Sequence, residues 1–202
     1  MRRPTWLLVT VMASTVALYA ALVLLLPGFG PHFIVVRRAV LPLAVVSHLA
    51  GGALALAVGA WQLNARLRTR HIGVHRLMGR AYVIAVLVGG LGALLLAPHA
   101  QTGAVAAVGF GVLAVTWLVT TLRGYLAIRG GDEAVHRRWM TRSYALTFAA
   151  VTLRIYLPAS AVLGIPFAIA YPVIAWLCWV PNLAVAEWHV GPRHRPKRVV
   201  AA

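Results

Sequence analysis

Six long apolar stretches, separated by short polar segments, dominate the hydropathy pattern of the chain. Crossing about 30 Å of hydrocarbon at about 1.5 Å per residue takes about 20 mostly apolar residues, and each stretch approaches or exceeds that length. The stretches cover residues 6–26, 40–63, 78–97, 103–122, 139–158 and 165–186. Pro172 and Pro181 interrupt the last stretch and predict a kink there. The pattern therefore predicts an all-α, polytopic membrane bundle of six transmembrane helices in one domain.

The composition supports this class and excludes several others. Of 202 residues, 61% are hydrophobic and 11% are charged. Soluble domains are about 45–50% apolar and about 25% charged, so a soluble globule and a disordered chain are both excluded. The single cysteine, Cys178, excludes a disulfide framework and a CxxC motif. Three acidic residues leave no carboxylate pair of the kind that glycosidases and two-metal hydrolases use.

Basic residues concentrate on one side of the predicted bundle. Arg37 and Arg38 fall on the other side and Arg154 lies within a span, which leaves 16 of the 19 basic residues together. Because positive residues are retained on the cytoplasmic side, both termini are predicted to be cytoplasmic. The basic loops and the basic tail, residues 189–202, are then expected to face anionic lipid, at about 1 kcal/mol per basic residue. No aromatic-interleaved platform accompanies the charge, so nucleic acid is not an expected partner.

A short motif occurs twice in the chain. The pattern R-x-M-x-R-x-Y over residues 76–82 recurs over residues 138–144, and His75 and His136 precede the two copies. Both copies begin helices that run in the same direction, as expected for a parallel repeat. We therefore predict a central four-helix core of two repeated hairpins with one further helix on each side. The hairpins cover about residues 39–98 and 103–160, and the flanking helices cover about residues 6–26 and 165–186.

Two ridges of small residues lie on the second and fourth spans. They are Gly51, Ala55 and Gly59 on the second span, and Gly103, Ala107 and Gly111 on the fourth. Small residues four apart share a helix face and let helix backbones approach each other in lipid. We expect both ridges to serve helix packing, with a slot for a flat cofactor as the alternative.

Several motifs in the middle of the chain resemble a known family. They are W-Q at 61–62, H-R-x-x-G-R-x-Y at 75–82, H-R-R-W-M-x-R-S-Y-A-L at 136–146 and V-T-L-R at 151–154. Over about residues 45–160 the chain is similar to the prokaryotic predicted membrane proteins called domain of unknown function 2306. This resemblance implies a multi-pass protein of the bacterial cytoplasmic (inner) membrane. A looser similarity, in architecture alone, links the bundle to cytochrome b561-type four-helix membrane cytochromes, although the four matched ligand histidines of a two-haem bundle are not all present.

Ionisable residues near the cytoplasmic ends of the spans form a first candidate site. His75 and His136 are predicted to lie at nearly the same depth, with repeated arginines beside them. These arginines are Arg76, Arg80, Arg138 and Arg142. The two arginines of each copy are four residues apart, so they share a helix face near a helix N-terminus, where an anion is favoured. They are expected either to bind a phosphate, a propionate or a lipid head group, or to anchor the helix ends.

His48 and Arg154 form a second candidate site deeper in the spans. At about 1.5 Å per residue they lie about 20 and about 22 Å from the cytoplasmic face. His48 is expected either to bond a neighbouring backbone group or to contact a ligand such as a quinone. Arg154 has no acidic residue nearby in the predicted arrangement and requires backbone carbonyls, an outer-leaflet phosphate or a bound anionic group.

Three functions are compatible with these residues. The first is electron transfer by a b-type haem with His75 and His136 as axial ligands and a membrane quinone as partner; His48 is a candidate ligand of a separate outer haem. The alternative is a non-enzymatic membrane subunit that binds anionic lipid or a partner protein through the repeated arginines. The third is a small-solute transporter, which the repeat and the kinked last span permit but no acidic coupling group supports.

Overall fold

A computed structural model describes residues 3–26 and 28–191 of the protein. In this range the chain consists of α-helices and short connections, with one 3₁₀ turn, Ala97–His99, after α5. The helices are α1 (Arg3–Leu25), α2 (His32–Val40), α3 (Pro42–Gln62), α4 (Ala65–Arg70), α5 (Ile72–Leu96), α6 (Ala104–Arg129), α7 (Glu133–Thr147), α8 (Ala149–Val162), α9 (Phe167–Leu177) and α10 (Val180–Val190).

Six helical segments are long and apolar enough to cross a membrane, which confirms the predicted all-α, six-helix architecture. They are Pro4–Leu25, Pro42–Gln62, Ile72–His99, Ala104–Arg129, Glu133–Val162 and Phe167–Val190. Because the spans alternate in direction, α1, α5 and α7 begin at one end of the bundle, here called the basic end. The other is called the opposite end. The predicted basic tail, residues 189–202, lies outside the described residues from position 192 onward.

The third and fifth spans begin earlier than the hydropathy pattern predicts. α5 begins at Ile72 and α7 at Glu133, each six residues before the predicted start. The pattern ends an apolar stretch at its first charges, whereas the helix continues through them into the interface. At α7 the Asp132 side chain caps the helix by accepting a hydrogen bond from the Val135 backbone nitrogen at 2.9 Å. His75 and His136 therefore each become the fourth residue of a helix, and not part of a preceding loop.

The last two spans are each divided by a local break. The fifth span changes helix at Phe148, and the sixth changes helix at residues 178–179. Pro181 has no backbone N–H to donate to the carbonyl of Leu177, so the helix cannot continue unbroken through this point. The predicted kink of the sixth span is thus confirmed. Pro172 lies inside α9, and the break falls after that helix.

The first ridge of small residues brings two helix backbones into contact. α3 packs on α5 in the most extensive helix contact of the bundle, and α6 packs on α7. A Cβ added to Gly51 would lie 2.5 Å from the Ala85 carbonyl oxygen and 2.5 Å from the Gly89 nitrogen. Ala55, one turn further along α3, is fully buried. This ridge serves packing, as predicted.

The prediction for the second ridge is wrong. Gly103 has no atom within 4 Å of an added Cβ, and Gly111 would meet only Ala97, at an ordinary 3.7 Å. The close contacts of α6 are made instead by glycines on another face, Gly109 against Trp176 and Gly124 against Met140. The neighbours of α6 present large side chains. Each of these fits into the space beside a single glycine, so a continuous row of small residues is not required.

Candidate functional site

A cluster of hydroxyl groups joins α5, α6 and α7 inside the bundle. The Tyr82 hydroxyl hydrogen-bonds to Ser143 Oγ at 2.8 Å and to Thr147 Oγ1 at 2.7 Å. Thr147 also accepts from the indole N–H of Trp117 at 2.8 Å, and Ser143 bonds to Thr121 at 2.6 Å. All five side chains are buried. This hydroxyl cluster, Tyr82, Trp117, Thr121, Ser143 and Thr147, connects both copies of the repeat to α6.

The sequence carries only a weak signal for the hydroxyl cluster. Tyr82 and Ser143 lie within the repeated motif, but the motif does not indicate what their hydroxyls bond to. Threonines inside apolar spans were the available signal, since a hydroxyl in hydrocarbon must bond to something. That signal is weak because Ser and Thr can bond their own helix, as Thr121 does to the Trp117 carbonyl at 2.8 Å.

The two tyrosines of the repeat have different environments although they meet at one point. An added Cβ on Gly59 of α3 would lie 2.6 Å from the Tyr144 ring and 2.8 Å from the Tyr82 ring. The absence of a side chain at Gly59 therefore makes room for both rings. The Tyr82 hydroxyl has two partners, whereas the buried Tyr144 hydroxyl has none among the described residues.

The two histidines of the repeat lie on helix faces that the hydroxyl cluster turns toward each other. His75 precedes Tyr82 by seven residues, and His136 precedes Ser143 by seven residues. Seven residues are nearly two helical turns, so each histidine shares the face of its partner in the cluster, about 10 Å closer to the basic end. Both histidines therefore lie at one level, on the sides of α5 and α7 that the Tyr82–Ser143 hydrogen bond joins.

The ring nitrogens of the two histidines are held differently. Nδ1 of His136 donates to the Gly124 carbonyl of α6 at 2.8 Å, so in the neutral imidazole Nε2 is the acceptor nitrogen. Nδ1 of His75 is buried and has no hydrogen-bond partner within the described part of the chain. The amide of Gln62 donates to the His75 backbone carbonyl at 3.2 Å and ties the start of α5 to the end of α3.

Arg142, one of the four repeated arginines, is neutralised by a carboxylate of the protein itself. It forms a two-point ion pair with Glu187 of α10, at 2.5 Å from Nε and 2.8 Å from Nη2. Its guanidinium also lies 4.7 Å from the ring centre of Trp139, and that of Arg123 lies 5.0 Å from the same ring centre. The sequence could not reveal this pair because Glu187 lies 45 residues away.

The other three repeated arginines make no ion pair or hydrogen bond among the described residues. Arg76 and Arg80 are exposed on α5, and Arg138 is half-buried on α7. Arg138 lines a surface cavity of about 580 Å³ between α7 and the end of α10. Arg137 and His189 line the same cavity, and Arg137 is paired with Glu133 at 2.5 Å.

The second predicted site lies toward the opposite end, between α1, α3 and α8. Nδ1 of His48 donates to the Gly89 carbonyl at 3.1 Å, so the predicted bond to a neighbouring backbone group is present. Arg154 donates from Nη1 to the Ala150 carbonyl of its own helix at 2.9 Å. Its guanidinium lies 5.3 Å from the ring centre of Tyr19 on α1. Tyr19 also packs on the apolar cluster that contains Leu49, the neighbour of His48, so both predicted residues lie beside this cluster.

We predict that the two repeat tyrosines respond oppositely to loss of the hydroxyl group. Tyr82→Phe removes two interhelical hydrogen bonds, each worth about 0.6 to 1.7 kcal/mol in a membrane protein, and should lower the free energy of unfolding by about 1–3 kcal/mol. Tyr144→Phe, the matched control, removes a hydroxyl without a partner and should leave stability unchanged or slightly higher. Unfolding in mixed micelles with increasing dodecyl sulfate measures both. Equal losses would show that the hydroxyl cluster does not hold the helices together.

Comparison with known proteins gives one result. A family model described as "Predicted membrane protein (DUF2306)" matches residues 45–190, which is most of the chain and includes both histidine sites. No curated protein and no solved structure matches the chain.

Proposed function

Because the chain belongs to the DUF2306 family of predicted membrane proteins, we propose that this multi-pass membrane protein transfers electrons. A b-type haem held by His75 and His136 carries the electrons, and a membrane quinone is the partner. One observation carries the proposal. Two repeat-related histidines lie at the same helical position at the basic end of the bundle, on the sides of α5 and α7 that the Tyr82–Ser143 hydrogen bond joins. Paired histidines on separate helices are the ligand arrangement of b-type haem in membrane bundles.

The nitrogen atoms of the two rings suit axial ligation. A ligating histidine is commonly oriented by a hydrogen bond from its other ring nitrogen to a carbonyl, and the bond from His136 Nδ1 to Gly124 is of this kind. The unpartnered, buried Nδ1 of His75 is a polar atom that the described protein leaves unsatisfied, and bound water or a ligand would relieve that cost.

A haem is the metal group that we propose for this histidine pair. Within residues 3–26 and 28–191 no group of three or more His, Cys, Asp or Glu side chains is placed to hold a bare metal ion. Two histidine side chains would be enough to hold a haem, because the porphyrin supplies the other nitrogen ligands of the iron. Arg76, Arg80 and Arg138 have no carboxylate partner in the described structure and would bind the propionates. When bound, such a group accepts and releases single electrons.

The proposal includes the membrane in which the protein lies and its orientation there. We place the protein in the bacterial cytoplasmic membrane with the basic end inside, because positive residues are retained on the cytoplasmic side.

In a Cys178→Ser background, Thr102→Cys at the opposite end should react with an impermeant thiol reagent added to intact cells. Arg70→Cys at the basic end, also exposed, should react only after the cells are opened. Labelling of Arg70→Cys alone in intact cells would invert the orientation.

A second candidate function rests on the cavity at the basic end. Arg138 and His189 line this cavity of about 580 Å³, and Arg76 and Arg80 lie exposed at the same end of the bundle. Unpaired arginines at a membrane interface attract anionic head groups. A non-enzymatic subunit that binds anionic lipid or a membrane partner would use these residues without a haem. No residue arrangement favours the transporter, since the three acidic side chains all lie at the basic end and two of them are ion-paired.

The absorption spectrum of the purified protein tests the haem directly. Protein from haem-replete cells should show a b-type spectrum that changes on reduction with dithionite. His75→Ala and His136→Ala should each abolish or strongly weaken this spectrum, because each removes an axial ligand. His99→Ala, an exposed histidine at the opposite end, is the control and should retain it.

Two results would contradict the assignment in different ways. A colourless but folded wild-type protein would refute electron transfer through haem and favour the anionic-lipid function. Loss of the spectrum in His48→Ala, with retention in the His75 and His136 variants, would move the haem to the second site.

A further inference from the structure

Arg154 is a cation inside a membrane span with no carboxylate to neutralise it. It lies half-buried on α8, a helix that contacts α1. The three acidic side chains of the protein are Asp132, Glu133 and Glu187, all at the basic end. The described contacts of the guanidinium are one hydrogen bond to the Ala150 carbonyl and the face of the Tyr19 ring. Arginine has five N–H donors, so most of them remain available to a ligand.

The direction of the Arg154 side chain argues against a role as a surface anchor. An arginine that anchors a helix extends toward the head groups, so that its charge reaches water. Here the guanidinium turns back on its own helix and bonds to the carbonyl of Ala150, four residues earlier and therefore further from the opposite end of the bundle. A charge kept at this depth is costly and marks an intramembrane site.

His48 supplies a second polar atom at the same level. Its Nδ1–H is committed to the Gly89 carbonyl at 3.1 Å, which fixes the ring and leaves Nε2 as an acceptor. Leu49, the next residue along α3, packs in the same apolar cluster as Tyr19, and the Tyr19 ring lies against the Arg154 guanidinium. One fixed acceptor and one cationic donor group therefore lie together between α1, α3 and α8.

The adjacent surface is apolar. Next to the site, Ala20 and Val23 of α1 pack on Val45 and Leu49 of α3, and the Tyr19 ring lies at the edge of this packing. A ligand that reaches Arg154 must therefore carry oxygen atoms on a body that hydrocarbon tolerates. A lipid phosphate does not meet this requirement, since it stays at the interface and loses much hydration free energy on entering hydrocarbon.

From these contacts we infer that Arg154 and His48 bind the head group of a membrane quinone, with the guanidinium donating to a ring oxygen and His48 Nε2 accepting from a quinol hydroxyl. The identity of the ligand rests on the proposed electron-transfer function. The site itself uses different residues, toward the other end of the bundle from His75 and His136.

Binding of decylubiquinone to the protein in lipid nanodiscs tests the site. Arg154→Gln should weaken binding at least about tenfold, because it removes a charge-assisted donor. His48→Phe should weaken binding of the reduced form more than that of the oxidised form, because only the quinol donates to Nε2. Arg38→Gln is the matched control. Arg38 also lies toward the opposite end and also donates Nη1 to a backbone carbonyl, that of Leu24 at 2.9 Å, and its loss should leave binding unchanged.

The outcomes separate this site from the haem. The site is overturned if the wild-type protein binds the quinone and Arg154→Gln leaves that binding unchanged. It is also overturned if Arg154→Gln loses retention of phosphatidylglycerol in place of quinone binding. A colourless wild-type protein that still binds the quinone through Arg154 would refute only the haem. If Arg154→Gln does not fold, an azidoquinone photolabel on the wild-type protein decides. Label near residues 48 and 154 supports the site, and label confined to the basic end overturns it.

Discussion

Polar groups inside hydrocarbon must find their partners within the protein, and this constraint determines how the bundle is built. The hydroxyl cluster is its main consequence. The phenol of Tyr82 on α5 requires hydrogen-bond partners, Ser143 and Thr147 on α7 supply them, and the indole N–H of Trp117 on α6 donates to Thr147. Three helices are thereby fixed in rotation and in height. Apolar packing alone does not achieve this, because lipid tails are as apolar as leucine.

The positions of the histidines follow from the same constraint. His75 and His136 share helix faces with Tyr82 and Ser143, so the bond that joins α5 to α7 also turns the two rings toward each other. A hydrogen bond from a histidine ring to a glycine carbonyl occurs in both hairpins. His48 donates to a glycine carbonyl of α5, and His136 donates to a glycine carbonyl of α6. Each ring is thus oriented by the helix that packs beside it, and Nε2 is left for a ligand. The proposed haem and quinone sites both depend on this arrangement.

Properties encoded in local sequence were predictable. The six spans follow from the number of consecutive apolar residues, and the equal depth of His75 and His136 follows from the repeat. The kink in the last span follows from Pro181, which lacks a backbone donor. Helix starts were predicted too late because the predictions stopped at the first charge, whereas α7 begins at Glu133 behind the capping Asp132.

Properties that depend on rotation of one helix against another were not predictable. The Arg142–Glu187 pair and the hydroxyl cluster join residues far apart in sequence, and periodicity does not fix which faces meet. The small-residue ridge of α6 shows the same limit. Its spacing equals that of the ridge on α3, yet α6 packs through Gly109 and Gly124 on another face, because its neighbours present Trp176 and Met140.

The juxtaposition of His75 and His136 is the central structural claim, and cross-linking measures it without a cofactor. In a Cys178→Ser background, His75→Cys combined with His136→Cys should be joined efficiently by a short bifunctional maleimide, detected as a linked peptide pair by mass spectrometry. The pair His48→Cys with His136→Cys should not be joined, because its two positions lie at different levels of the bundle. Absence of the first link, or equal yields for both pairs, would contradict the facing arrangement of α5 and α7.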